Sequence, residues 1–228
     1  MLKKRFLEVC CSSPEDVLEA ILGGASRAEL CADLSIGGIT PPEEWIRKAL
    51  DMSLRLTGRN FNVNVLIRPR GGDFVFNEAE IEEMLSSIRL CKSLGVNAVV
   101  IGCLDAKGDV DMVAMRRLVA EARPMQVTFH RAFDVCHDPL NAFDDILALG
   151  CDRLLTSGQA ADAYAGRELI AELVRRAGGR LRVMAGCGVR PSNIAAIEKA
   201  TGVFEFHSSS HGPSGVTDRD VVAAMVNK

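Results

Sequence analysis

The chain has 228 residues and a formal net charge of −3, with 48% hydrophobic and 25% charged residues. This is the composition of an ordinary globular protein with enough chain for a large core. With one Trp, one Tyr and no basic stripe, the sequence argues against nucleic-acid binding. No apolar run approaches the roughly 18 residues that a membrane span requires, and no secretory signal is recognisable, so we expect a cytoplasmic protein without a membrane partner.

Eight short apolar or β-branched runs predict strands that alternate with helices along the whole chain. Their starts are spaced by roughly 28 residues, the length of one strand-plus-helix unit. The runs are Phe6–Cys10, Ala28–Cys31, Phe61–Arg68, Ala98–Gly102, Val127–His130, Arg153–Thr156, Leu181–Ala185 and Val203–His207. This pattern predicts an α/β protein with one domain over residues 1–228, folded as a (β/α)8 TIM barrel. A doubly wound open sheet is the alternative, and the absence of Gly-x-Gly-x-x-Gly after the first strand disfavours it.

Capping residues mark several helix starts. Ser13-Pro14, Thr40-Pro41 and Asp138-Pro139 each place a capping residue before a proline at the first helical position. Asn77 and Glu80 have the spacing of a capping box. We therefore predict helices that begin at these four places.

Polar residues occupy one face of several predicted strands. In a barrel, inward-facing residues alternate with residues that face the helices. This parity directs the following residues to the barrel axis: Glu8, Cys10, Glu29, Cys31, Asn62, Asn64, Arg68, Thr128, His130, Glu205 and His207. Barrel interiors are normally apolar, and buried charges are costly unless they are paired, so stability alone explains the pattern poorly. The alternatives are a self-satisfied ion-pair network and an active site at the carboxyl ends of the strands.

The first two strands share a Glu-x-Cys sequence, at Glu8-Val9-Cys10 and Glu29-Leu30-Cys31. On adjacent parallel strands in the same register, this repeat would bring Cys10 and Cys31 together at the barrel mouth. Two neighbouring thiolates suit a soft cation such as Cu(I), although cysteines in strands are more often packing residues. The eight cysteines form no Cys-x-x-Cys pair, which argues against a zinc ribbon.

Three loops after predicted strands carry features that suit anion binding. Arg68-Pro69-Arg70-Gly71-Gly72-Asp73 combines two guanidinium groups with a glycine pair. Gly186 and Gly188 stand before a helix start and would leave backbone N–H groups free for an anion, and Ser157 adds a hydroxyl after the sixth strand. The alternatives to an anion site are a solvated turn for the arginine loop and, for the glycines, an ordinary turn between a strand and a helix.

Besides copper binding by the cysteine pair, these polar residues support a second hypothesis, an enzyme that acts on a small anionic metabolite such as a phosphorylated one. Glu8 or Glu29 would act as a base, His130 as an acid or base, and Arg68 with the Gly186–Gly188 loop as anion clamps. If the protein is an enzyme, the candidate catalytic residues are Glu8, Glu29, Arg68, His130, Arg131 and His207. A third hypothesis, a structural scaffold, predicts that neither copper nor metabolites bind.

Several motifs together resemble the CutC family of copper homeostasis proteins. The most specific are the Arg68–Asp73 stretch and Thr128-Phe129-His130-Arg131-Ala132-Phe133-Asp134, and the resemblance runs from about Phe6 to Ser210. It implies a (β/α)8 barrel in the cytoplasm that associates as a homo-oligomer, a dimer or tetramer, with a role in copper handling. It also implies Cu(I) binding by two cysteines that match Cys10 and Cys31.

Overall fold

The computed structural model describes residues 5–58, 60–212 and 215–226. Within these ranges, eight parallel strands close a barrel in chain order. The strands are β1 (Phe6–Cys11), β2 (Arg27–Leu30), β3 (Asn62–Leu66), β4 (Ala98–Ile101), β5 (Gln126–Phe129), β6 (Arg153–Thr156), β7 (Arg182–Ala185) and β8 (Glu205–Ser208). The α-helices are α1 (Pro14–Leu22), α2 (Glu43–Thr57), α3 (Glu78–Leu94), α4 (Met112–Ala122), α5 (Pro139–Ala148), α6 (Arg167–Ala177), α7 (Ile194–Thr201) and α8 (Arg219–Val226). The predicted (β/α)8 TIM barrel is confirmed.

Three of the four predicted helix starts are confirmed. The side chains of Ser13, Asn77 and Asp138 each accept backbone N–H groups from the first turn of α1, α3 and α5. The start predicted at Thr40 is wrong, because α2 begins further along and has no side-chain cap. The Thr40 hydroxyl instead accepts the backbone N–H of Arg68 at 2.8 Å and so ties the loop after β2 to the end of β3.

The main apolar core lies between the strands and the helices. Leu7, Val9, Val63, Val127 and Phe129, which strand parity directs towards the helices, are all fully buried there. A separate small apolar cluster lies inside the barrel and consists of Cys10, Cys31, Leu66 and Val100, with Leu34 packed against it. None of the described helices is long and apolar enough to cross a membrane.

The register between β1 and β2 differs from the one expected from the repeated Glu-x-Cys sequences. Cys10 lies opposite Glu29, and Glu8 lies opposite Arg27. Because side chains alternate with a period of two, this shift of two residues keeps the same side chains on the inner face. Cys10 and Cys31 therefore stay neighbours, while Glu8 gains a cationic partner inside the barrel.

Candidate functional site

A network of buried ion pairs fills the barrel axis near the amino-terminal ends of the strands. The Arg27 guanidinium donates to both Glu8 and Glu205, and Arg153 Nε donates to Glu205 at 3.0 Å. Asn64 Nδ2 also donates to Glu8, at 2.8 Å. Burial alone would raise the pKa of Glu8, but the positive charges of Arg27 and a nearby histidine outweigh it and lower the pKa. Glu8 is therefore an ionised, fully enclosed member of a structural network.

Above this network, the carboxyl ends of the strands surround a cavity of about 280 Å³. The predicted site residues that line the cavity are Cys10, Glu29, Cys31, Arg68, His130, Arg131, Gly188 and His207. Among the predicted residues, Glu8, Gly186 and Ser157 lie outside this lining. The structure thus brings together the cysteine pair and most of the candidate catalytic residues at the mouth of the barrel, where active sites of this fold lie.

Two thiols lie side by side in the cavity wall. The Sγ atoms of Cys10 and Cys31 are 3.9 Å apart, and the two residues are 9% and 1% exposed. The contact with Cys31, together with burial, raises the pKa of Cys10 well above its ordinary value of 9.0. The ligand atoms of Cys10, Glu29 and His207 all lie within 4.8 Å of one another. The wall therefore offers two sulfur donors with a nitrogen and a carboxylate oxygen beside them.

His207 forms a close pair with Glu29. His207 Nε2 lies 2.6 Å from Glu29 Oε2 and 3.9 Å from a carboxylate oxygen of Glu8. Burial alone would lower the pKa of His207, but the charge of Glu29 and their hydrogen bond outweigh it and raise the pKa. A Cβ atom at Gly186 would stand 2.4 Å from Leu155 Cδ1 and 3.3 Å from His207 Cβ. The glycine thus leaves room chiefly for the Leu155 side chain and allows His207 to pack closely.

Arg68 is held by backbone carbonyl groups. Its guanidinium donates to the carbonyl oxygens of Ile36 at 3.2 Å, Gly38 at 3.0 Å and Gly72 at 2.6 Å. It also lies 4.6 Å from the centre of the Phe74 ring. Arg68 is only 5% exposed, yet its Nε atom has no hydrogen-bond partner within the described chain. The guanidinium is therefore fixed in place with one buried donor left over.

His130, which lines the same cavity, has a second unused donor. Its Nδ1 atom accepts the backbone N–H of Ala132 at 3.2 Å, so the proton of the neutral ring is on Nε2. Burial and the charge of Arg68 lower the pKa of His130 to about 3. The Nε2 atom is buried and finds no partner among the residues that the structure describes. This histidine is thus a neutral hydrogen-bond donor at physiological pH.

The other predicted residues have partners of their own. Arg131 lines the cavity but pairs with Asp134 at 2.7 Å. The Ser157 hydroxyl donates to the carbonyl oxygen of Ala160 at 2.8 Å, which places it in the loop rather than in the cavity. Gly188 has a φ of +70°, a conformation that favours glycine, and lies at the rim. Arg131 and Gly188 therefore form part of the cavity wall, and the Arg131 and Ser157 side chains already have hydrogen-bond partners of their own.

Two residues of the site, Arg27 and Phe74, are not among the residues predicted from the sequence. Arg27 lies two residues before Glu29 on the same strand and therefore shares its inward face, so strand parity could have identified it. Phe74, which contacts both Arg68 and His130, lies in a loop where no periodicity indicates direction.

Comparisons with known proteins agree with this barrel. The CutC family model matches residues 5–212. A CutC family protein of Parabacteroides distasonis is 52% identical over 207 residues, which are 91% of this chain and 83% of the relative. A crystal structure from Streptococcus agalactiae, provisionally named a copper homeostasis protein CutC, has a TM-score of 0.84 at 32% identity and covers 90% of this chain and 98% of its own. N-(5′-phosphoribosyl)anthranilate isomerase from Pyrococcus furiosus has a TM-score of 0.63 at 13% identity, covering 97% and 96%, which shows the shared fold alone.

Proposed function

The chain belongs to the CutC family, and from this premise we propose that it binds Cu(I) through Cys10 and Cys31 at the mouth of the barrel. The observation that carries the proposal is the 3.9 Å separation of the two Sγ atoms in a buried wall. Soft thiolates are ligands that select Cu(I). The copper homeostasis name of the Streptococcus agalactiae relative supports a role in copper handling.

The surroundings of the thiols suit a soft cation as cargo. Leu34, Leu66 and Val100 pack against the cysteine pair and limit the access of water to it. Two thiolates with one Cu(I) ion carry one net negative charge. A protonated His207, one ring nitrogen of which lies within 4.8 Å of Cys10 Sγ, would stabilise that charge. We therefore assign His207 to charge compensation and the two sulfur atoms to copper ligation.

A Cu(I) titration of the reduced protein against a competing chelator tests this assignment. The C10S/C31S variant should lose more than about 100-fold in affinity, because loss of a direct ligand costs at least as much as loss of a residue that only supports one. The matched control is C91S/C151S, which removes two other buried thiols, outside the cavity lining. Wild-type affinity in C10S/C31S would contradict the proposal.

A second function, catalysis on a small anionic metabolite such as a phosphorylated one, is favoured by one further observation. The Glu29–His207 pair shares the cavity with Arg68 and His130, each of which has a buried donor without a partner in the described part of the chain. The pair would exchange a proton with the substrate while the two donors hold its charge. A thermal-shift screen of metabolite pools, followed by mass spectrometry of the pools that stabilise the protein, tests it. Absence of any stabilising pool would contradict it.

The family resemblance further implies a homo-oligomer in the cytoplasm, and both properties stay predictions. Size-exclusion chromatography with light scattering would measure the oligomeric state directly.

A further inference from the structure

Two side chains in the cavity wall carry buried hydrogen-bond donors that have no acceptor among the described residues. Arg68 Nε and His130 Nε2 are both buried and unpartnered within the described residues. Both side chains line the cavity, and both lie against Phe74, at 4.6 Å for the guanidinium and 5.0 Å between ring centres for His130. Native proteins seldom leave buried donors unpaired, and each exception needs an explanation. A ligand that accepts hydrogen bonds at this place would supply one.

Neither donor can turn away to find another acceptor. Three backbone carbonyl groups hold the Arg68 guanidinium. The His130 ring is fixed through Nδ1 by the Ala132 N–H, and it fits against Gly102 so closely that a Cβ atom there would stand 2.6 Å from His130 Nδ1. The two donors are therefore preorganised, which lowers the cost of binding a ligand.

The charge at this place is that of one guanidinium. Arg70 forms ion pairs with two carboxylates and Arg131 with one, whereas Arg68 has no carboxylate within 4.0 Å in the described part of the chain. Arg190, at the rim, is exposed, so solvent screens its charge. The unpaired donors thus belong to a site with one buried guanidinium, on which the charge of Asp73 acts only from beyond ion-pair distance.

We propose that Arg68 and His130 form a subsite for the carboxylate group of a small organic acid. A carboxylate accepts hydrogen bonds only, has two oxygen atoms for the two donors, and carries the single negative charge that Arg68 lacks. Phe74 and Leu155 provide apolar surface for the carbon chain of the acid. A phosphate dianion would bring more charge and more acceptor atoms than these donors satisfy.

The cavity size limits the acid to a small metabolite. Its volume of about 280 Å³ lies just below the range of about 300–1,000 Å³ that is typical of ligand pockets. The inference is independent of copper binding, and it rests on the second proposed function only in placing the acid beside Glu29 and His207.

Nitrogen NMR of histidine-labelled protein tests the subsite without any substitution. Acetate and propionate, at millimolar concentrations, should shift the His130 Nε2 signal with saturation, because the new hydrogen bond forms at that atom. Acetamide, the neutral analogue, should leave the signal in place, and exposed His137 serves as the internal control. No saturable shift with either acid, or equal shifts with acetamide, would overturn the proposal. Tighter binding of inorganic phosphate would overturn the carboxylate assignment.

A matched pair of arginine variants tests whether Arg68 contributes to acetate affinity. R68K keeps the positive charge but loses the Nε donor, and acetate affinity should fall at least about tenfold, as for loss of a charge-assisted hydrogen bond. R70K, in the same loop, should bind acetate as the wild type does. Unchanged affinity in a folded R68K would overturn the proposal, and the wild-type NMR titration decides the matter if R68K fails to fold. Acetate binding with no metabolite turnover would remove the second function and leave the subsite standing.

Discussion

His207 Nε2 lies 2.6 Å from Glu29 Oε2, and this pair sets the charge of one side of the cavity. The carboxylate raises the pKa of His207, although burial alone would lower it. On another wall, burial and Arg68 lower the pKa of His130 to about 3. One small cavity thus holds two imidazoles whose pKa values are shifted in opposite directions, and we assign the two rings different tasks. In the two proposals, His207 would stabilise the negative charge of the copper site, and His130 would donate a hydrogen bond to the acid.

A histidine NMR titration should separate the two rings. The pKa of His207 should lie above the ordinary histidine value of 6.5, and His130 should stay neutral down to pH 5. Because the folded pKa of His207 is raised, its contribution to stability is full below about pH 6.5 and is lost as the pH rises through the folded pKa. Glu29→Gln should lower the pKa of His207 and remove this part of the pH dependence of unfolding. A His207 pKa at or below 6.5 in the wild type would contradict the pairing.

Copper affinity should rise with pH. The Cys10 thiol has a raised pKa through its contact with Cys31 and its burial, so it must release a proton when the metal binds. Each released proton strengthens binding by about tenfold per pH unit below that pKa. Competition titrations between pH 6 and 8 measure the slope, and an affinity independent of pH would argue against thiolate ligation by Cys10.

The ion pairs below the cavity should be essential for stability. Arg27→Met keeps most of the side-chain volume but removes the guanidinium between Glu8 and Glu205. Breaking a buried ion pair in this way should lower the free energy of unfolding by about 3–5 kcal/mol, measured by urea denaturation. The control is Arg55→Met, which removes an exposed pair with Asp51 and should have a much smaller effect. Similar losses in both variants would contradict the role of the network.

Gly102 should be required for the position of His130. In Gly102→Ala, the new Cβ atom would stand 2.6 Å from Cε1 and Nδ1 of the ring, a separation that the structure can relieve only by moving the histidine. We expect a changed His130 NMR signal and at least about tenfold weaker acetate binding, since one hydrogen bond is lost. A wild-type His130 NMR signal and wild-type acetate affinity in Gly102→Ala would show that the position of the ring does not depend on this glycine.

The sequence predicts the barrel and the inner face of the first two strands because both follow from periodicity. Glu8, Cys10, Glu29 and Cys31 face inwards as strand parity requires, even though the register differs by two residues from the expected one. Strand parity does not reveal which inward residues pair with each other. It makes no prediction at all for residues in loops. Ser157 has the residue type of an anion ligand, yet its hydroxyl donates to a backbone carbonyl within its own loop.

Arg68, at the end of a strand, also shows that the sequence predicts the direction of a side chain but not its partners. Its position after β3 predicts an inward guanidinium, but only the folded loops decide which of its donors remain free. Three carbonyl groups from two loops accept hydrogen bonds from the other two guanidinium nitrogens, and Nε is left buried without a partner among the described residues. These carbonyl groups belong to backbone segments whose conformation no residue pattern specifies.

X-ray absorption spectroscopy of the Cu(I)-loaded protein at the copper edge tests the central claim most directly, because it identifies the atoms bound to the metal. We predict a first shell made of the sulfur atoms of Cys10 and Cys31, with Cys31→Ser losing one of them and Cys91→Ser losing none. A first shell of nitrogen and oxygen atoms only, or a sulfur shell unchanged in Cys31→Ser, would contradict the assignment of copper to this cysteine pair.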